Sequence, residues 1–357
     1  MANMQEILVE KSELTNSKQR TIPNLLPVAA GEVCVEIERF SLTTNNITYA
    51  VFGEMLNYWG YFPTEKGFGV VPVWGFGEVV ASRCEAIAVG ERIFGFLPMS
   101  SHVTLMPDAV SDLCFSDSMP HRLDLHPWYN RYFRCDQDPV YSEATVDAQS
   151  VLWALFMTGW KLAEQLSGKS DALVVSSASS KTAIATAWAM SLFNPDASII
   201  GITSDSNRAF VESLGIYTHV QSYDRIAFDD SFHQAAYVDV AGSAAVTSAI
   251  HVALNDRLAH SVTLGATHRA PPSSDLPMPG PVPSFFFIPT EAEADAASLG
   301  FEKAHLKFAI AWRDFALWSA SWLDLEFGSG IDAIEAGYLA TLKGGLSPSS
   351  AKVFSWS

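Results

Sequence analysis

Two strand–loop–helix units follow one another in the middle of the chain and constrain the fold more than any other feature. The first, ALVVSSASSKTAIATAWAM at 172–190, is an apolar β-rich run, a small polar loop and an Ala-rich helix. The second, GITSDSNRAFVESLG at 201–215, repeats this order. A tight loop between a strand and a helix, followed by a second strand, places a dinucleotide pyrophosphate at a helix N-terminus. The pattern predicts a parallel α/β sheet with a nucleotide-binding loop.

Size, charge and cysteine content narrow the class of protein. At 357 residues the chain exceeds the usual size of one hydrophobic core, which predicts two domains. A net charge of −17 without a Lys/Arg cluster argues against nucleic-acid binding. The four cysteines are scattered and form no C-x-x-C pair, which disfavours a zinc lobe or a disulfide framework. The N-terminal sequence has no apolar signal core, and the apolar run at 151–160 is too short to cross a bilayer. We therefore expect a soluble cytoplasmic protein without a membrane partner.

Three segments of the chain differ in their pattern of predicted strands and helices. Residues 1–150 contain short strands broken by Gly and Pro, typical of an antiparallel barrel, with an irregular aromatic-rich insertion at about 107–145. Residues 151–284 alternate strands and helices, which predicts a parallel sheet with right-handed crossovers. Residues 285–357 form a C-terminal segment expected to return to the first domain, with helices at about 300–327 and 331–342. In the middle segment, strands are expected at 172–176, 198–203, 235–240 and 260–265, with helices at 181–192, 206–214 and 243–254.

The chain contains the motifs SLTTNNITYAVFG at 41–53, VPVWGFGEVVAS and VGERIFGF within 71–96, and SSASSKTA, SDSNR, VDVAGSAA and VTLGATH further on. These motifs resemble the medium-chain dehydrogenase/reductase superfamily, specifically its zinc-independent quinone-oxidoreductase-like branch. NNITYAVFG, PVWGF and SSASSKTA also resemble a family of unknown function within that superfamily. The resemblance implies a Rossmann-type parallel sheet domain, a GroES-like β-barrel catalytic domain and a homodimer.

Zinc is not expected. Zinc-dependent members of the superfamily place a His near the position of Trp74, and neither Cys34 nor Cys84 lies at a matching ligand position. A catalytic zinc needs three protein ligands, and the sequence does not supply them.

The first loop has no glycine at the positions where the usual fingerprint has it. Serine hydroxyls, helix N-terminal amides and a lysine can still bind phosphate. The alternative is an ordinary strand–helix turn with a Ser N-cap and a solvated lysine. The candidate cofactor-binding residues of the loop are Ser177, Ser179, Ser180, Lys181 and Thr182.

The end of the second strand favours NADP(H). Thr203 and Ser204 lie at its tip and Arg208 opens the next helix, a combination suited to a 2′-phosphate. Asp205 would instead favour NAD if it faces the ribose, and Arg208 could be a solvated helix charge. The resemblance adds Tyr223 to this pocket and places Thr158 below the nicotinamide ring. Gly242 and Gly265 would let the backbone approach the cofactor closely.

Candidate catalytic and substrate residues come from the first domain. By resemblance, Asn45, Asn46 and Tyr49 lie near the nicotinamide, with Tyr49 the first choice as acid or oxyanion donor and Asn46 the second. An aromatic cluster suggests a flat or aromatic small-molecule substrate, although ordinary packing is the alternative for each ring. The candidate walls are Tyr58, Trp59, Tyr129, Asn130, Tyr132 and Phe286.

Three functions fit these residues. The first is a zinc-independent NADP(H)-dependent oxidoreductase that reduces an activated alkene, quinone or carbonyl. The second is a nicotinamide-binding lyase that cleaves a C–C or C–O bond of an aromatic alcohol without net redox change. The third is a non-catalytic NADPH-binding protein.

Overall fold

A computed structural model describes residues 3–23, 26–240, 242–264, 278–288, 290–291 and 298–357. The chain divides into two compact units. The first unit consists of residues 1–153 and 316–357, and the second of residues 154–315.

The secondary structure follows the hydrophobic patterns closely. The strands are β1 (Met4–Glu10), β2 (Ser17–Ile22), β3 (Val33–Ser41), β4 (Phe68–Gly69), β5 (Pro72–Ser82), β6 (Arg92–Pro98), β7 (His102–Leu105), β8 (Pro107–Asp108), β9 (Cys114–Asp117), β10 (Arg131–Arg134), β11 (Ala172–Ser176), β12 (Ser198–Thr203), β13 (His219–Ser222), β14 (Ala235–Asp239), β15 (Leu258–Thr263), β16 (Ser284–Phe285), β17 (Asp324–Ser329) and β18 (Ser350–Ser355). The α-helices are α1 (Thr44–Val51), α2 (Val146–Leu166), α3 (Lys181–Phe193), α4 (Asp205–Ser213), α5 (Ala244–Leu254), α6 (Phe301–Ser319) and α7 (Ile331–Lys343).

The first unit is built on two sheets. A nine-stranded sheet has the order β17-β18-β3-β5-β6-β10-β9-β8, with β7 paired to β3, and a three-stranded sheet has the order β2-β1-β4. Two glycines let β5 approach β3. A Cβ on Gly75 would lie 2.3 Å from the carbonyl oxygen of Arg39, and one on Gly77 would lie 2.7 Å from that of Glu36. This mixture of short, mostly antiparallel strands positions α1 and its side chains.

The second unit contains a six-stranded parallel sheet of order β13-β12-β11-β14-β15-β16. Its central strands are apolar and buried on both faces, as expected of a sheet with helical crossovers. The strand order reverses at β11, with β12 on one side and β14 on the other. Ligands bind at such a switch point, outside the carboxyl ends of the strands. The predicted α/β fold with a parallel Rossmann-type sheet is confirmed.

Two expectations outside the parallel sheet were wrong. The predicted helix at about 300–327 ends at Ser319, and Asp324–Ser329 forms β17, paired in parallel with β18. Residues 107–145 are not irregular throughout, because they contain β8, β9 and β10, and β10 lies between β6 and β9. Strands of two to four residues interrupted by 3₁₀ turns are too short for their alternation to be recognised in the sequence.

Candidate functional site

The loop between β11 and α3 is shaped by its own serines and a tyrosine. Ser177 has a positive φ of 50°, an uncommon conformation for a residue other than glycine. Its backbone N–H donates to the Tyr223 hydroxyl at 3.0 Å, and this bond holds the turn. Ser180 is the N-cap of α3 and accepts from the N–H of Ala183 at 3.3 Å. Side-chain hydrogen bonds therefore stabilise a turn that would usually require glycine.

Ser179 is held from the neighbouring strand and helix. Its hydroxyl oxygen accepts a hydrogen bond from Asn207 Nδ2 at 3.1 Å and a weaker one from Thr203 Oγ1 at 3.5 Å. Thr203 is buried at the end of β12, and Asn207 lies in the first turn of α4. The structure thus brings the predicted residues Ser179 and Thr203 into direct contact, and it adds Asn207, which the sequence analysis missed.

A buried carboxylate organises the carboxyl edge of the sheet, and the sequence analysis missed it too. Asp239, at the end of β14, accepts from Ser176 Oγ at 2.9 Å, from the N–H of Gly242 at 3.0 Å and from Thr247 Oγ1 at 3.0 Å. Gly242 has a φ of 68°, in the left-handed region that favours glycine. Asp239 therefore fixes the turns after two neighbouring strands.

Lys181 is the first residue of α3 and is largely surrounded by protein. Burial lowers the pKa of its ammonium group to about 8, since desolvation disfavours the charged form. An incoming phosphate would restore the preference for the charged form. The next residue, Thr182, is half-buried, and its carbonyl accepts from the Thr186 hydroxyl within α3.

The other predicted cofactor residues have these positions. Arg208 is half-exposed and donates from Nε to Glu212 at 2.8 Å, and Ser204, the N-cap of α4, hydrogen-bonds Ser206. Thr158 in α2 donates to the carbonyl of Ala154. Gly265 lies outside the described residues. The remaining site residue of this unit, Phe286, is buried and donates its backbone N–H to the carbonyl of Thr263.

In the first unit, Tyr49 lies at the centre of an aromatic cluster. Its hydroxyl oxygen accepts from Asn45 Nδ2 at 2.8 Å and from Trp74 Nε1 at 3.0 Å. Both acceptor directions of the oxygen are therefore used, and the hydroxyl proton has no acceptor among the residues that the structure describes. Burial raises the pKa of Tyr49 to about 12, while the bonds from Trp74 and Asn45 lower it. Tyr49 is a protonated donor at neutral pH.

We define the tyrosine cluster as Tyr49, Tyr58, Tyr61, Tyr129 and Phe96. Its rings are tightly packed and its phenols are neutral. The rings of Tyr49 and Tyr58 are 4.7 Å apart, and those of Phe96 and Tyr129 are 4.6 Å apart. The hydroxyls of Tyr58 and Tyr129 are 3.0 Å apart. Burial raises the pKa of both phenols, so neither ionises near neutral pH. The predicted residues Tyr49, Tyr58 and Tyr129 are thus in mutual contact.

Four predicted residues are engaged elsewhere in this unit. Asn46 accepts from the N–H of Thr43 and donates to the carbonyl of Pro72, so it anchors α1. Trp59 packs against Gly53 and Gly69. Asn130 hydrogen-bonds Arg122 through its amide, and Tyr132 donates to the carbonyl of Phe96. These contacts serve the packing of the unit.

Within the described part of the chain, no three His, Cys, Asp or Glu side chains are grouped so that they could hold a metal ion. None of the described helices is long and apolar enough to cross a membrane.

The fold is shared with solved structures over the whole chain. The S. aureus protein TarJ in complex with NADPH matches with a TM-score of 0.61 and 14% identity, covering 100% of both chains. CurA from Vibrio vulnificus in complex with NADPH matches with a TM-score of 0.60 and 14% identity, covering 99% of each. A mutant form of the enoyl thioester reductase from Candida tropicalis gives 0.61 and 13%, covering 100% of both.

These matches show that the chain shares the fold of TarJ, CurA and the enoyl thioester reductase. No curated protein matches the chain. The chain belongs to the family described as "Protein of unknown function (DUF2855)", whose profile matches residues 40–347.

Proposed function

We propose that this protein is a zinc-independent NADP(H)-dependent oxidoreductase that reduces an activated alkene, quinone or carbonyl of a small, flat substrate. The observation that carries the proposal is the Tyr49 hydroxyl, which accepts two hydrogen bonds and keeps its proton available. Structures of the same fold that hold NADPH, such as those of TarJ and CurA, support the choice of cofactor.

The loop between β11 and α3 has the donors that a dinucleotide needs. Ser179 offers a hydroxyl proton and Lys181 offers an ammonium group. The helix α3 has 13 residues, and the backbone amides of its first turn lie at the same end of the sheet. Arg208, in the first turn of α4, would pair with the 2′-phosphate through the nitrogens that Glu212 leaves available. These residues fit NADP(H).

Tyr49 would act as the proton donor. A bound reduced nicotinamide would supply a hydride to the electrophilic carbon of the substrate. Tyr49 would then donate its proton to the anion that forms, because Asn45 and Trp74 orient the hydroxyl and stabilise the phenolate left behind. Solvent returns the proton to Tyr49 afterwards.

The neutral character of the tyrosine cluster favours an uncharged aromatic or conjugated substrate. Arg122, which lies beside Tyr61, is itself buried and paired with Asp117 at 2.8 Å. A substrate carboxylate would therefore have to compete with Asp117 for this cation. Aromatic side chains pack favourably against flat rings.

The proposal includes a cytoplasmic homodimer. The edge strand β16 supports this assembly, because Phe285 on it is more than half exposed and the strand has a neighbour on one side only in the described sheet. Equilibrium sedimentation of the purified chain measures the assembly directly.

The test is the consumption of NADPH by the purified protein, followed by nicotinamide absorbance, with a panel of enones, quinones and aldehydes. Substrate-dependent oxidation of NADPH by at least one member supports the proposal. Binding of NADPH without turnover on any member contradicts it and favours a binding protein. Formation of product from an aromatic alcohol without net NADPH consumption contradicts it and favours a lyase.

A further inference from the structure

We propose that Asn207 is a positioning residue that makes the Ser179 hydroxyl a fixed donor to a pyrophosphate oxygen of the dinucleotide. The inference rests on the proposed function, because it assigns a role within the same nucleotide site. It adds a residue that the loop motif does not contain, since Asn207 lies 27 positions beyond the N-cap Ser180, in the first turn of α4.

The direction of the hydrogen bond determines what Ser179 can do. The Nδ2 group of Asn207 can only donate, so at 3.1 Å the Ser179 oxygen is the acceptor. Thr203 Oγ1, at 3.5 Å, approaches the same oxygen. A hydroxyl oxygen has two acceptor lone pairs and one proton, and with both lone pairs engaged the proton turns away from its neighbours. No described residue accepts it.

The backbone of the loop explains why a hydroxyl donor is needed. In a glycine-rich loop the backbone amides approach the pyrophosphate directly. Here the amide of Ser177 donates to Tyr223 Oη, so it is engaged before a ligand arrives. Ser179 lies two residues before the start of α3, where the helix dipole favours negative charge. The side chain of Ser179 therefore replaces part of what the backbone supplies in other loops.

Asn207 differs from its neighbour Arg208 on the same helix. Arg208 is directed to Glu212 and is half-exposed, whereas Asn207 is directed to the loop. The two residues are therefore assigned different tasks, with Asn207 acting on the pyrophosphate through Ser179 and Arg208 acting on the 2′-phosphate.

A double-mutant cycle tests the inference with the full-length protein. The variants are Ser179→Ala, Asn207→Ala and the double variant, and Ser213→Ala, on the exposed side of α4, is the matched control. Calorimetry measures the affinities for NADPH and NADH, and a thermal melt checks that each variant folds. Loss of a hydrogen bond to a charged group predicts that Ser179→Ala weakens both dinucleotides about 10- to 100-fold. Asn207→Ala should weaken both about 3- to 10-fold, and only when Ser179 is present.

Three results would overturn the inference. If the two losses add independently, Asn207 does not act through Ser179. If the loss is confined to NADPH, the contact is with the 2′-phosphate rather than the pyrophosphate. If the wild-type protein binds neither dinucleotide, the proposed function fails as well, so the two failures are distinguished by the wild-type titration. Should Asn207→Ala not fold, Asn207→Asp replaces it, because a carboxylate would accept the Ser179 proton and produce the same loss for both dinucleotides.

Discussion

The loop between β11 and α3 and the tyrosine cluster both contain hydroxyl groups, but in different surroundings. In the loop, half-exposed serines are held by Tyr223, Asn207 and Thr203, and a lysine with a lowered pKa lies beside them. In the cluster, buried phenols with raised pKa values lie among aromatic rings. In the proposed function the first arrangement would bind the phosphates of the dinucleotide, and the second would keep a proton on Tyr49 for transfer to the substrate. The comparison shows how burial sets the properties of a hydroxyl group, since a half-exposed hydroxyl is open to a charged ligand whereas a buried phenol stays protonated.

Removal of the Tyr49 hydroxyl should have the largest effect. Tyr49→Phe keeps the ring but removes the proton donor, and general acid catalysis contributes about 10²- to 10⁴-fold, so kcat should fall by that factor. NADPH affinity should not change. Tyr61→Phe is the control, because the Tyr61 hydroxyl donates to the carbonyl of His126. Steady-state kinetics with a reducible substrate measures both. A kcat for Tyr49→Phe close to that of Tyr61→Phe would show that Tyr49 is not the proton donor.

The substitution Arg208→Ala tests the predicted contact with the 2′-phosphate of NADPH. Loss of a charge-assisted contact to the 2′-phosphate should cost about 1.5–3 kcal/mol of NADPH binding and leave NADH binding nearly unchanged. Calorimetric titration with both dinucleotides measures this, with the exposed Arg313→Ala as a control. Equal losses for both dinucleotides would reject the assignment of Arg208.

The pH dependence of binding separates the two regions further. Phosphate favours the protonated form of Lys181, and its pKa in the free protein is about 8. NADPH affinity should therefore fall up to about tenfold per pH unit as the pH rises above 8. Lys181→Met should remove this dependence and, in the absence of nucleotide, raise the Tm at pH 7, because burial of the ammonium disfavours its charged form.

The control for this titration is Lys303→Met, at an exposed position of α6. It should keep the pH dependence of the wild-type protein. A wild-type affinity that does not change between pH 7 and 9 would show that Lys181 does not contact the dinucleotide.

Trp74→Phe should have the smallest effect. It retains an aromatic ring beside Phe96 but removes one of the two donors to the Tyr49 hydroxyl. A neutral hydrogen bond contributes about 0.5–1.5 kcal/mol, so kcat should fall by about 2- to 12-fold. The matched control is Trp356→Phe, since Trp356 Nε1 donates to no atom of the described residues. Identical kcat values for the two variants would show that Trp74 does not tune Tyr49.

The parallel sheet could be predicted from sequence because each of its elements has a local signal. The apolar runs that became β11 and β12 were predicted to the residue, and Gly215 follows the end of α4 with a positive φ. The strands β17 and β18 could not be predicted in this way. Their parallel pairing joins residues 26 positions apart, and β17 is largely exposed. As a short edge strand, β17 depends on its partner rather than on its own pattern.

Individual site residues were less predictable than the loop that contains them. The motif indicated Ser177 and Ser179 from their spacing, but not Asn207 or Asp239, because these contact the loop from other strands and helices. The family resemblance indicated Tyr49, and the aromatic residues nearby indicated Tyr58. Neither could separate Tyr58 from Trp59, whose side chain packs against glycines instead. Tertiary packing decides on which side of a short helix or turn an aromatic ring lies.

A crystal structure of the protein grown with NADPH tests the central claim most directly. The account predicts that the dinucleotide pyrophosphate lies against the loop of residues 176–182, with a phosphate oxygen within hydrogen-bond distance of Ser179 Oγ and the ammonium group of Lys181 close to it. An NADPH molecule bound with its pyrophosphate away from this loop, or no NADPH at all under saturating conditions, would contradict it.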